Sequence, residues 1–141
     1  MYRHDYIMRL IERFGVALRM LRDRILRRER EDLSVRGELG EIARQAGLDL
    51  EVARTLDPAA LMMWLAPSGP PDPARLWLMA ELLYLDGIAG KAAGDAGWRG
   101  DLTRAASLLA QVPGDWRPGA EFATAAERAD EIQGLLTPED V

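Results

Sequence analysis

The sequence predicts an all-α protein: one domain, a bundle of six or seven helices with a long N-terminal amphipathic helix. Three observations carry that expectation. Apolar residues recur at the helical period in several long windows, aspartate followed by proline stands where new helices would begin, and no stretch of useful length alternates as a strand does. At 141 residues the chain is long enough to bury most of its apolar surface without a metal or disulfide staple.

The first helix is expected from Asp5 to about Arg30, with Ile7, Leu10, Ile11, Phe14, Ala17, Leu18, Leu21 and Ile25 within an arc of about 120° and Arg9, Arg13, Arg24 and Arg27 across from them. Asp5 with Arg9, and Arg19 with Asp23 and Arg27, are spaced to pair along the helix. Val16 and Met20 fall on the arginine side, four residues apart, and are candidates for contact with a partner or a second copy. A charged break at 28–32 leads to a helix from Val35 to Ala46, with Ser34 as its cap and Gly47 closing it. Asp49 caps a short helix through Thr55, and Asp57-Pro58 opens another to about Leu65. Residues 66–73, APSGPPDP, make a stiff connection, because proline there can continue no helix.

Residues 74–93, ARLWLMAELLYLDGIAGKAA, are the most apolar long run, and the rest of the chain is expected to pack around them. Leu76, Leu78, Met79, Ala80, Leu82, Leu83, Leu85 and Ile88 leave no clean polar face, so this helix, opened by Asp72-Pro73, must be covered on most sides. Glu81 and Asp86 interrupt the run too closely for a membrane span of about 20 apolar residues. The helix ends near Gly94. A loop through Gly100 follows, Asp101 caps a helix to about Val112, residues 113–119 form a second loop, and Ala120 to Leu136 form the last helix on a stripe of Phe122, Ala125, Ala126, Ala129, Ile132 and Leu136. The domain thus divides into a basic helix at 1–31, short helices at 32–66 and the central and C-terminal helices at 72–136.

Charge is distributed unevenly. Residues 1–30 hold nine arginines against four acids, a local +5; with −5 overall, the remaining 111 residues carry −10. Attraction between the basic helix and the acidic body favours docking the one on the other. The opening residues alternate charged and apolar types and lack the apolar core of a secretion signal, so a cytoplasmic protein is expected.

Catalytic chemistry finds no residues to carry it. Cysteine is absent, which excludes a thiol nucleophile and cysteine-ligated metals. The one histidine, His4, sits at the chain start, where fraying is expected. Ser34, Ser68 and Ser107 lie in no nucleophile elbow or phosphate loop, and the glycines of residues 90–97 have the wrong spacing for a nucleotide loop. Glu81 and Asp86, five residues apart, diverge by about 140° around a helix and cannot work as one carboxylate pair. The expectation is a buried anchor for an arginine of the first helix. No enzyme, cofactor or metal is expected.

Trp77, Ala80 and Tyr84, followed by Ala105 and Leu109, resemble the aromatic and small positions of a tetratricopeptide helical hairpin over roughly residues 74–118. That resemblance implies a helical scaffold that binds other proteins. DYIMRLIE at residues 5–12 is similar to the opening of a group of small bacterial all-helical proteins of unknown function, some with a tetratricopeptide-like second half. Residues 41–56 resemble a bacterial helix-turn-helix: Ala43 at the crossing, Gly47 in the turn, Leu48 after it. This implies a DNA-binding regulator, the alternative reading. Its second helix, however, offers Asp49, Glu51 and Asp57 against Arg54 alone, a surface that repels phosphate.

The tryptophans supply the remaining candidates. Trp64 and Trp77 sit among apolar neighbours as core residues. Trp98-Arg99 and Trp116-Arg117 fall in the two Gly/Pro-rich loops and pair the residue types enriched at binding hot spots; the simpler reading folds each ring back onto the core edge. The function expected from the sequence is a non-enzymatic protein-protein interaction or scaffold module whose partner is a protein or a second copy.

Overall fold

The run from Pro73 to Ala93 forms one helix, and every residue from Leu76 to Ile88 in it is buried. A helix with no polar face cannot lie at a surface, so the other elements wrap it. The computed structural model describes residues 2–27 and 33–138, and among them seven helices and no strand. In chain order they are α1 (Tyr2–Leu26), α2 (Leu33–Gln45), α3 (Leu50–Thr55), α4 (Pro58–Leu65), α5 (Pro73–Ala93), α6 (Trp98–Leu109) and α7 (Ala125–Leu136). The fold is all-α and forms a single domain, with a long first helix. α6 returns against α5 as a helical hairpin; α1, α2 and α3 also lie on α5, while α4 and α7 pack on α6.

Local chemistry sets most of the helix ends. Asp49, Asp57 and Asp72 accept hydrogen bonds from the amides of Val52 (3.1 Å), Ala60 (2.7 Å) and Ala74 (2.9 Å), each satisfying a donor that has no carbonyl within the helix. Gly47 and Gly94 close α2 and α5 in the left-handed conformation, φ 72° and 76°, where a Cβ would be strained. α1 buries Ile7, Leu10, Ile11, Leu18, Leu21 and Ile25. Each contributes roughly 1.5–3 kcal/mol on burial, well above any surface ion pair, so the stripe decides which way α1 faces. Phe14 is half-buried, and Ala17 at the edge of the arc is exposed.

Several boundaries differ from the expectation. α2 already includes Leu33 and Ser34, so Ser34 is not its cap; the charged break and the expected end of the first helix, 28–32, lie outside the described residues. α6 begins at Trp98 and ends at Leu109, and Asp101 is buried inside it. Gly97 takes the cap position, its amide bonded to the Asp95 carboxylate at 3.0 Å, which frees Asp101 to turn inward. α7 begins at Ala125, where Thr124 and Glu127 form a reciprocal capping box with hydrogen bonds of 3.2 and 3.0 Å. Phe122 therefore precedes the helix, yet it is buried. Its ring lies against Gly15 of α1, where a Cβ would come within 3.0 Å of it, and edge-on to Trp77 at 5.1 Å. Ala126 faces solvent instead of the core.

Within the α5–α6 hairpin the two helices come close together at Gly87. A Cβ there would sit 2.8 Å from Leu102 Cδ2 and 3.3 Å from the Trp98 carbonyl. Alanine at this position is expected to lower stability by about 1–3 kcal/mol by forcing the hairpin apart. Urea titration checks this, and a variant as stable as the parent refutes it.

Candidate functional site

The inward edge of α1 is used by the core, and on its outward face Val16 and Met20 are 58% and 59% exposed. Arg9, Arg13 and Arg27 are exposed with them. Two inner arginines of the helix do dock on the body: Arg22 reaches Glu131 of α7 at 2.7 Å and Arg24 reaches Glu38 of α2 at 3.0 Å. The pairs anticipated along α1, Asp5 with Arg9 and Arg19 with Asp23 and Arg27, do not close among the described residues. Exposed pairs gain too little to hold two long side chains in place. His4 is held in α1, its Nδ1 2.8 Å from the Asp72 carboxylate.

The two tryptophan-arginine pairs do not form one surface. Trp98 and Arg99 open α6 rather than lying in a loop, whereas Trp116 and Arg117 follow its far end, with a helix of about 18 Å between them. Trp98 is flanked by the cations of Lys91 (5.0 Å) and Arg99 (4.5 Å), and Arg99 also donates to the Leu136 carbonyl. Trp116 packs 6.4 Å from the buried Trp77, and Arg117 bonds the nearby Ala120 carbonyl. Both rings are half-buried against the core. Trp64 is likewise half-buried on the core edge.

The acids inside α5 each anchor a separate network. Glu81, 4% exposed, receives both Nε (3.0 Å) and Nη2 (2.9 Å) of Arg128 from α7, the fork geometry that makes arginine the preferred partner of a carboxylate. The arginine comes from the last helix, not from the first as expected. Arg22 of α1 enters one step away: it donates to the Tyr84 hydroxyl at 3.0 Å and to Glu131, which also receives Arg128 at 2.9 Å. Burial raises the Glu81 carboxyl above its ordinary value even with Arg128 opposing it. Tyr84 is pushed up to about 12, by burial first and by its bond to Glu131 next.

Asp86 and Asp101 form the second network, 1% and 2% exposed, on α5 and α6. Both face one nitrogen, Arg54 Nε of α3, at 3.2 and 3.3 Å. Arg36 of α2 lies 3.5 Å from Asp86 and 2.7 Å from Asp95, and Arg104 lies 3.7 Å from Asp101. Burial, and then the hydrogen bond to Asp86, raise the Asp101 carboxyl to about 7. Two buried carboxylates leaning on one arginine nitrogen disfavour the ionisation of both, which is the direction of the Asp101 shift. A cleft of about 540 Å³ opens beside it, lined by Glu51, Arg54, Thr55, Gly97, Asp101 and Arg104. It mixes both charge signs and presents no cysteine, histidine or activated serine. Among the described residues no group of three or more His, Asp or Glu could hold a metal.

The helix-turn-helix segment spans the end of α2 and α3. Ala43 is buried at the crossing, and its carbonyl receives the Leu48 amide at 2.8 Å across the Gly47 turn. α3 has six residues, and its one arginine, Arg54, is held by Asp86 and Asp101. The Asp86–Asp101 pairing joins two helices and leaves no trace in local periodicity; the sequence predicts Asp101 as a helix cap, and the start of α6 at Trp98, with Gly97 as its cap, places it one turn inside instead. No protein-family model, curated protein or solved structure matches the chain, and the functional reading rests on its own residues.

Proposed function

We propose that this protein is a non-enzymatic helical interaction module that takes a protein partner on the outward face of α1. The observation that carries the reading is the exposure of Val16 and Met20, one helical turn apart on a helix whose opposite side supplies the core. Exposed large apolar side chains at that spacing are the anchor pattern of helix-on-helix recognition. The α5–α6 hairpin, with Trp77, Ala80, Tyr84 and Ala105 buried in it, supports a scaffold of the tetratricopeptide kind, although the described residues hold one hairpin and no repeat of it. The DNA-binding alternative has less in its favour, since Arg54 is engaged inside the protein. Membrane attachment by α1 would require the apolar edge that packs on α5, and among the described residues no helix is long and apolar enough to cross a membrane.

The test is capture from the native host with the wild type beside a Val16→Glu, Met20→Glu variant. Both positions are exposed, so stability should change by no more than about 0.5 kcal/mol. One protein, or the chain itself, retained in stoichiometric amount by the wild type and lost by the variant supports the reading. Equal capture by both proteins moves the interface elsewhere and overturns it.

A further inference from the structure

The outward ridge of α1 follows Asp5, Arg9, Glu12, Val16, Met20, Asp23 and Arg27, all exposed. At about 100° per residue these positions stay within about 40° of Val16. Their spacing is the same read in either direction from Val16, and the charges of the outer four invert. Eleven residues before Val16 stands Asp5, and eleven after it Arg27; seven before stands Arg9, and seven after it Asp23. Glu12, four before, has Arg19 on its own flank, within one residue of the mirror position. None of Asp5, Arg9, Glu12, Asp23 and Arg27 has an ion-pair partner within the chain among the described residues.

A two-fold axis crossing a helix at right angles lays that helix on itself end for end. A face whose outer charges invert about its midpoint then meets opposite charge at those levels. We propose that the occupant of this face is a second copy of the chain: α1 packs antiparallel on α1 about a two-fold axis at Val16, pairing Asp5 with Arg27, Arg9 with Asp23 and Glu12 with Arg19 of the other copy, and each pair occurs twice. This rests on the interaction-module reading and names its partner. Val16 meets its own image on the axis, and Met20 covers it from each side. A parallel pairing would set Asp5 on Asp5 and Arg9 on Arg9, and like charges reject it. Spacings of three and four residues suit a shallow crossing of about 20°. The seam is about 33 Å long and one helix wide, at the small end of specific interfaces, so association is reversible. The charges mainly choose orientation and register, while Val16 and Met20 supply the apolar contact.

Sedimentation velocity from micromolar to hundreds of micromolar protein tests this, with circular dichroism confirming that each variant is folded. The wild type should pass from monomer to dimer as concentration rises. Arg9→Glu and Asp23→Arg should each weaken the dimer roughly tenfold, because each sets like charges together at two places. The double variant restores opposite charge across the axis and should dimerise within about threefold of the wild type. A wild type that stays monomeric throughout overturns the proposal. So does a dimer indifferent to both single reversals, or a double variant as weak as its parents. If the wild type is monomeric while Val16→Glu, Met20→Glu still loses a captured protein, the dimer fails and the interaction-module reading stands.

Discussion

Alanine in place of Arg128 is expected to lower stability by about 3–5 kcal/mol, a larger effect than opening the α5–α6 hairpin at Gly87. The cause is the buried acid it leaves unpaired. Glu81 lies in the middle of the most buried helix, 4% exposed, and both its oxygens are satisfied by Arg128, at 2.9 and 3.0 Å. Removing the guanidinium strands a carboxyl in an apolar interior and takes away the cation 4.2 Å above the Tyr84 ring. Replacing both partners, Glu81→Met with Arg128→Met, removes the stranded charge and should recover most of the stability, since a buried pair and a well-packed apolar pair are often close in free energy. Urea unfolding of the two single variants and the double variant decides the matter. A single-variant loss below about 1 kcal/mol, or a double variant no better than either single, shows that the pair is not held as described.

Asp101 predicts a pH dependence of unusual sign for a carboxyl. Its folded value, about 7, lies above the ordinary aspartate value, so the folded state binds the proton more tightly than the unfolded chain does. The stability this contributes is fully present below about pH 4 and is lost as pH rises through about 7. Glu131, where burial is outweighed by Tyr84, Arg128 and Arg22 so that the carboxyl lies below its ordinary value, behaves in the opposite way. The informative quantity is therefore the difference between Asp101→Asn and the wild type. Asparagine keeps a neutral donor towards Asp86 at every pH, and its stability relative to the wild type should climb by on the order of 2–4 kcal/mol between pH 4 and 8. Melting of the two proteins side by side over that range measures it. A constant difference would mean that Asp101 carries no extra proton near neutrality.

Much of the architecture can be read from single segments. Asp49, Asp57 and Asp72 announce three helix starts because a side-chain cap involves only the next two or three amides. The absence of a polar face on residues 74–93 already requires a helix covered on most sides, and the arc from Ile7 to Ile25 already requires that Val16 and Met20 face outward. The misread boundaries share a cause. Asp101 carries the residue type of a cap but is drawn inward by Arg54, forty-seven positions away in the chain, and Phe122 fits the stripe of a helix but reaches the core from a turn because Gly15 leaves room for its ring.

The same division holds for the candidate surfaces. The ridge of α1 is a property of one helix, so its spacing and its charges were present in the sequence. The likeness between the two tryptophan-arginine pairs was also visible, but the geometry of α6 sets them at opposite ends. What the sequence alone determined is the set of helices, the aspartate caps of α3, α4 and α5, the central position of α5 and the two sides of α1, since each depends on hydrogen bonds or periodicity within a few turns. Only the tertiary structure decided which arginine meets each buried acid. Glu81 pairs with α7, and Asp86 and Asp101 share α3, because a charge taken from water must accept whichever partner the packing of apolar faces brings within about 3 Å.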